Sequence, residues 1–251
     1  MGFVIKHNKS PAIIPARKVK CLAKPITEVL SSTSWKDCRC LIIGGGPSLA
    51  GFDFRRIKDE LTIGINKSIG INKSFTRFPT TLNYAMDIGF YNQVAYPVEK
   101  PELLQLHQQW KVYRGIKVFL ERPKFKLDSS VYVVKDIKDK VLSFDLEKGI
   151  HGANNSGFGA LMLAIALGAT RIGLLGYDMK VDNVVKRTHW HEGYPNQQFK
   201  SMQSKLNKFK VPFEELAPAI VDAGITVVNL NVNSGLSCFL KDSIENFLQN
   251  Y

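Results

Sequence analysis

The stretch from 155 to 179, NSGFGALMLAIALGATRIGLLGYDM, limits the fold more than any other part of the chain. It is apolar nearly all round from Phe158 to Leu167, so a helix here must be buried. Asn155 or Ser156 can cap its start, and Gly168 stands where a helix-ending glycine belongs. RIGLLGYD then reads as a buried parallel-type strand running into a polar loop. FEELAPAIVDAGITVVNLN repeats the plan, with a helix, Gly224 and a second strand. Upstream, RCLIIGGG is a short apolar strand, LTIGINKS and TTLNYAMD are two more, and KVYRGIKVFLE and SSVYVVKD also read as strands. Strand–helix–strand alternation at this spacing predicts an α/β domain built on a doubly wound, mostly parallel sheet.

That domain is expected to run from 39 to 251. Residues 1–38 read as a basic N-terminal arm, and the His-, Lys-, Asn- and Gln-rich stretch at about 180–212 as a lid inserted into the domain. The formal net charge is +12. Lys18 and Lys20 lie in the arm, and Lys200, Lys205 and Lys208 form a second basic cluster in a polar setting. A surplus of this size favours a polyanionic partner such as nucleic acid, anionic lipid or phosphorylated glycan; the plainer reading is a solvated surface that keeps the protein in solution. The four cysteines are too few and too scattered for a disulfide framework, and Cys38-x-Cys40 is too tight for a zinc pair. No apolar run approaches the ~18 residues of a membrane span, and there is no signal-type stretch at the N-terminus. A cytoplasmic protein with reduced thiols is expected.

In an open parallel sheet the ligand lies beyond the carboxyl ends of the strands. The residues just past each predicted strand therefore define a candidate site. They are Gly44, Gly45, Gly46, Pro47 and Ser48 after the first strand, Asn66 after the second, Asp87 after the third, Asn155, Ser156 and Gly157 at the late helix start, and Tyr177 and Asp178 after the next strand. These small polar residues suit sugar hydroxyls, a ribose and a base edge. The glycine run matches neither G-x-G-x-x-G, because Leu49 stands where a glycine is needed, nor the Walker pattern. It reads either as a tight turn or as a loop offering backbone N–H groups to phosphate.

RTHWHEGYP, from 187, adds His189 and His191, two of only five histidines. Either could act as general base for a hydroxyl acceptor. The pair could also contact phosphate, hold a metal with Asp178 or Glu192, or be incidental loop residues. No third histidine or cysteine partner is evident, and no metal site is assigned.

IIGGGPSLAGFD resembles the GxGPSL opening loop of a superfamily of α/β transferases. NNSGFGALMLAIALGATRIGLLGYDM resembles its later helix–strand block, and GITVVNLNVNSGLSCF a third. The superfamily includes bacterial lipooligosaccharide sialyltransferases, proteins related to archaeal 6-hydroxymethylpterin diphosphokinase, and many phage proteins. The sialyltransferase branch implies a modified Rossmann-type fold and a nucleotide-sugar donor, CMP- or UDP-linked. It also implies inverting transfer without a metal, with a lid histidine as base. The nucleotide-binding positions map onto Gly44 to Ser48, Asn66, and Asn155 to Gly157. Gly45 departs from that branch, which has asparagine there, so CMP-sialic acid is not implied as the donor. With a basic arm and lid, the acceptor is expected to be a polyanion such as duplex DNA carrying hydroxymethylated pyrimidines; a lipooligosaccharide is the other candidate. The alternatives are a diphosphokinase-like enzyme using ATP and Mg²⁺, with Asp87 and Asp178 among its carboxylates, and a non-catalytic nucleic-acid-binding protein.

Overall fold

The computed structural model describes residues 21–69, 80–96, 101–181, 189–190 and 199–251. His191, Lys18 and Lys20 lie outside the described residues, as does the side chain of Lys200.

The strands are β1 (Lys24–Pro25), β2 (Arg39–Ile43), β3 (Leu61–Ile65), β4 (Leu82–Ala85), β5 (Ile116–Leu120), β6 (Tyr132–Val134), β7 (Arg171–Leu175), β8 (Thr226–Asn229) and β9 (Leu240–Lys241). Among the described residues they form one nine-stranded sheet in the order β1-β6-β5-β4-β3-β2-β7-β8-β9. Every pairing is parallel. The mostly parallel, doubly wound α/β architecture read from the sequence is the one present. The chain winds outward from β2 through β3, β4, β5 and β6, then returns to the other side of β2 with β7. The β2/β7 boundary is the topological switch point, with Cys40 in register with Leu61 on one side and Ile172 on the other.

Alternation along the central strands sorts side chains to two faces. Cys40, Ile42, Ile63, Leu82, Tyr84, Ile172 and Leu174 enter the main core. There they meet helix α3 (Ser156–Ala166) and the second half of helix α4 (Phe199–Asp222), which contributes Phe213, Leu216, Ala217 and Ile220. Leu41, Ile43, Leu175 and Val228 face the other way, against Phe54, Ile57 and the short helix α5 (Ile244–Asn250). Helices α1 (Ile88–Ala95) and α2 (Pro101–Val112) cover β4 and β5 on that same side, around Phe90, Trp110 and Phe119.

Helix α3 is buried throughout from Phe158 to Ala166. Asn155 caps it by accepting from the N–H groups of Gly157 and Phe158, at 2.9 and 3.2 Å. At its end Gly168 has φ 98°, and its N–H reaches Ile165 O while that of Ala169 reaches Ala164 O. This is the paired six-to-one and five-to-two closure of a glycine C-cap. Gly224, at φ 75°, closes α4 in the same way through Val221 O and Ile220 O.

Two segments differ from their sequence reading. Residues 199–222 are one helix, so α4 takes in the last part of the stretch expected as a lid and continues through Pro212 and Pro218. The part of the expected arm that is described is packed: β1 pairs with β6, Trp35 is buried, and its N–H donates to Leu167 O at 2.8 Å.

Candidate functional site

The loops after β2, β3, β4 and β7 and the start of α3 converge on a crevice of about 440 Å³ at the carboxyl edge of the sheet. It sits at the switch point, where an open α/β sheet takes its ligand. Of the residues proposed from sequence, Gly44, Gly45, Gly46, Pro47, Asn66, Asp87, Asn155, Ser156, Gly157, Tyr177, Asp178, His189 and Lys205 line it. Ser48 faces a neighbouring cavity instead, and Lys208 is exposed on α4 away from the crevice.

The glycine loop is first a packing device. Gly44 N–H donates to Leu175 O and Gly46 N–H to Gly176 O, both at 2.8 Å, so the loop prolongs the β2–β7 pairing. A Cβ at Gly44 would come within 2.8 Å of Gly176 O, and one at Gly46 would overlap the Asp178 carboxylate. Ser48 N–H donates to Asp178 Oδ1 at 3.2 Å and its hydroxyl to Oδ2 at 2.9 Å. Among the described residues this leaves Gly45 as the loop position whose N–H is not committed to the fold, so a multi-donor phosphate cradle does not form from this loop alone.

Asp178 is buried and ties three loops together, since its Oδ1 also accepts from Asn231 Nδ2 at 2.9 Å. Burial pushes its carboxyl above the ordinary 3.8, opposed by the Ser48 hydrogen bonds and the nearby Lys180. Tyr177 is likewise internal: its hydroxyl donates to Gly157 O at 2.9 Å, and burial raises its pKa well above 10.0. Asn155 spends its oxygen on the α3 cap and its amide on Phe209 O at 2.9 Å. Asp87 caps α1, accepting from Gly89 N–H at 2.7 Å.

Among the described residues, Asn66 and Ser156 join the Gly45 N–H as groups left for a ligand. Asn66 holds φ 49°, a conformation that costs a non-glycine residue roughly 1–3 kcal/mol. Its main-chain oxygen accepts from Asn83 Nδ2 at 3.1 Å, and its Oδ1 is buried with no hydrogen-bond partner. Ser156, at the first position of α3, brings a hydroxyl and an N–H to the crevice at the positive end of the helix. Lys180 and Lys205 add positive charge to the same walls, and Met202 and Phe209 supply apolar surface from α4.

Trp190 escaped the sequence reading. Its backbone N–H donates to Gly45 O at 3.1 Å, its indole Nε1 donates to Gly44 O at 2.9 Å, and its ring lies 5.3 Å from that of Phe54. This buried side chain docks the residue next to His189, which lines the crevice. Its signal was present as a tryptophan in an otherwise polar stretch, a residue that polar loops rarely carry without a docking site. Asn231 and Ser234 were missed because their partners lie on a distant loop, the Asp178 carboxylate for Asn231 and the main-chain oxygens of Tyr177 and Asp178 for Ser234. Among the described residues no cluster of three or more His, Cys, Asp and Glu is placed to hold a metal ion. No helix among them is long and apolar enough to cross a membrane.

No family model matches the chain, and no curated protein does either. Among solved structures it is similar to the sialyltransferase CstII from Campylobacter jejuni, determined in complex with a substrate analogue, cytidine-5'-monophosphate. The identity is 18%, with a TM-score of 0.45 over 82% of this chain and 85% of that one.

Proposed function

We propose that the chain is a nucleotide-sugar-dependent, inverting glycosyltransferase. The observation that carries the reading is Asn66 Oδ1, a buried acceptor without a partner at a switch-point crevice. A buried polar atom of this kind is normally satisfied, and a nucleotide's amine or ribose hydroxyl would satisfy it. The donor's phosphate then falls to Ser156 and the α3 N-terminus, with the Gly45 N–H and the charges of Lys180 and Lys205 beside it. His189 is the described candidate for the base, and His191 the other candidate from the sequence.

In the reaction the acceptor hydroxyl oxygen bonds to the donor's anomeric carbon. The bond from that carbon to the phosphate oxygen breaks, and the nucleotide leaves with the bonding pair. The hydroxyl proton passes to the histidine. The finer reading of the acceptor, hydroxymethylated pyrimidine in duplex DNA, rests on the net charge of +12 and the lysines of α4. Retention on duplex DNA should then fall steeply between low and physiological salt; a flat response removes DNA as the partner.

A thermal-shift screen with CMP, CDP, UDP, GDP and ATP, each with and without Mg²⁺, tests the central claim. Stabilisation by a pyrimidine nucleotide without Mg²⁺ is expected, since a ligand of the folded state alone raises apparent stability. Stabilisation by Mg-ATP alone would instead point to the diphosphokinase reading, and no response to any nucleotide to a binding protein without this activity.

A further inference from the structure

A second cavity, of about 530 Å³, opens beside the crevice, and the two share Met86, Asp87 and Asn154 as a common wall. Its far side is the loop after β5, with Arg122, Lys124 and Phe125. Arg122 is held in place: its guanidinium pairs with the buried Asp136 carboxylate and donates to Asn154 Oδ1 at 3.1 Å. Lys138 pairs with the same carboxylate. Two cations thus share one anion, and with Lys124 added and the Asp87 carboxylate of the shared wall set against it, the surroundings of the cavity keep one surplus positive charge.

The wall itself is under constraint. Ala153 and Asn154, two consecutive non-glycine residues, have φ 47° and 53°. This costly backbone sets Asn154 between the cavities, where Arg122 grips it. Ile88, Pro123 and the half-buried Phe125 give the cavity apolar surface on which a ring can lie. A guanidinium and an ammonium above such a surface suit an anionic oxygen group attached to that ring.

We infer that this cavity is the acceptor subsite, and that it takes a ring-bearing phosphorylated acceptor whose phosphate meets Arg122 and Lys124. The inference rests on the transferase reading of the crevice, because the shared wall puts the acceptor's ring next to the donor. Phosphorylated sugars and nucleotides both have this chemistry.

The test is calorimetric titration of the full chain, saturated with the nucleotide that stabilises it, with glucose 6-phosphate, deoxyuridine 5′-monophosphate and uncharged glucose. At least one phosphate compound should bind about tenfold or more tighter than glucose, and which one does so identifies the source. Lys124→Ala, an exposed change that leaves the Asp136 pairs intact, should weaken that phosphate ligand several-fold. Arg122→Lys should weaken it about tenfold, with nucleotide affinity unchanged in both variants. Phosphate compounds that bind no better than glucose, or a preference untouched by either variant, would overturn the assignment. If no nucleotide stabilises the chain, the transferase reading fails separately. The same titration without nucleotide then decides whether the cavity is an anion site at all, by whether Lys124→Ala still matters.

Discussion

At Gly46 a single hydrogen is all the space allows, because the Asp178 carboxylate occupies the position of a Cβ. Gly46→Ala must displace that carboxylate and break its bonds to Ser48, so a loss of about 2–4 kcal/mol in urea unfolding is expected. Asp178 carries a pH signature of its own. Burial raises its folded-state pKa, so the folded protein holds this proton more tightly than the unfolded chain does. Stability from this group is therefore present at low pH, and falls as pH rises from the unfolded value through the raised folded one. Asp178→Asn cannot ionise. The stability of the unaltered chain minus that of the variant should fall as pH rises above the ordinary carboxyl value of 3.8, by up to about 1.4 kcal/mol for each unit of pKa shift. A difference that climbs with pH would refute the assignment. Trp190→Phe removes one donor from Gly44 O, which still accepts from Ser68 Oγ at 3.2 Å. Global stability should drop by only about 1 kcal/mol. On the proposed transferase reading, loosening the residue next to His189 should lower sugar transfer about tenfold or more while nucleotide affinity stays within twofold.

The helix ends supply a matched pair of substitutions. Both closing glycines are left-handed, but a Cβ at Gly224 would meet nothing within 4 Å, whereas one at Gly168 would press on Ser32 O at 2.8 Å and on the Lys36 backbone. Gly224→Ala should cost about 1–2 kcal/mol, the backbone penalty alone. Gly168→Ala should cost clearly more, as measured by the same unfolding experiment. These ends were legible in the sequence because a glycine after an apolar helix has one common use. The strands β2, β7 and β8 were legible for a similar reason, being continuous apolar runs that water would not tolerate. Helices α1 and α2 were not legible: KVYRGIKVFLE looked like strand throughout, although the chain up to Val112 is helical. The first half of α4 was hidden by its run of polar residues, with Lys205 and Lys208 exposed, and by Pro212, which reads as a break. The site was legible as a set of positions but not as a set of roles. Topology alone puts Asn155, Tyr177 and Asp178 at the crevice, yet their polar atoms turn inward to bind one another's loops, and that depends on side-chain geometry. Asn66 looked no different from them in sequence.

For the molecule as a whole, a ligand at the switch point touches loops from both halves of the sheet, so binding should stabilise the entire fold. At a nucleotide concentration a hundred times its dissociation constant the gain is about 2.7 kcal/mol. For a domain of this size that corresponds to a rise in melting temperature of roughly 5–10 °C, with one transition rather than two. The sheet's winding has a further consequence, in time. β2 lies between β3, which follows it closely in the chain, and β7, which begins only at Arg171. At ordinary ribosomal rates, one edge of this apolar strand waits unpaired for on the order of ten seconds after it is made. The nascent chain therefore carries an open, sticky edge through most of its synthesis, and the crevice does not exist until that edge has closed.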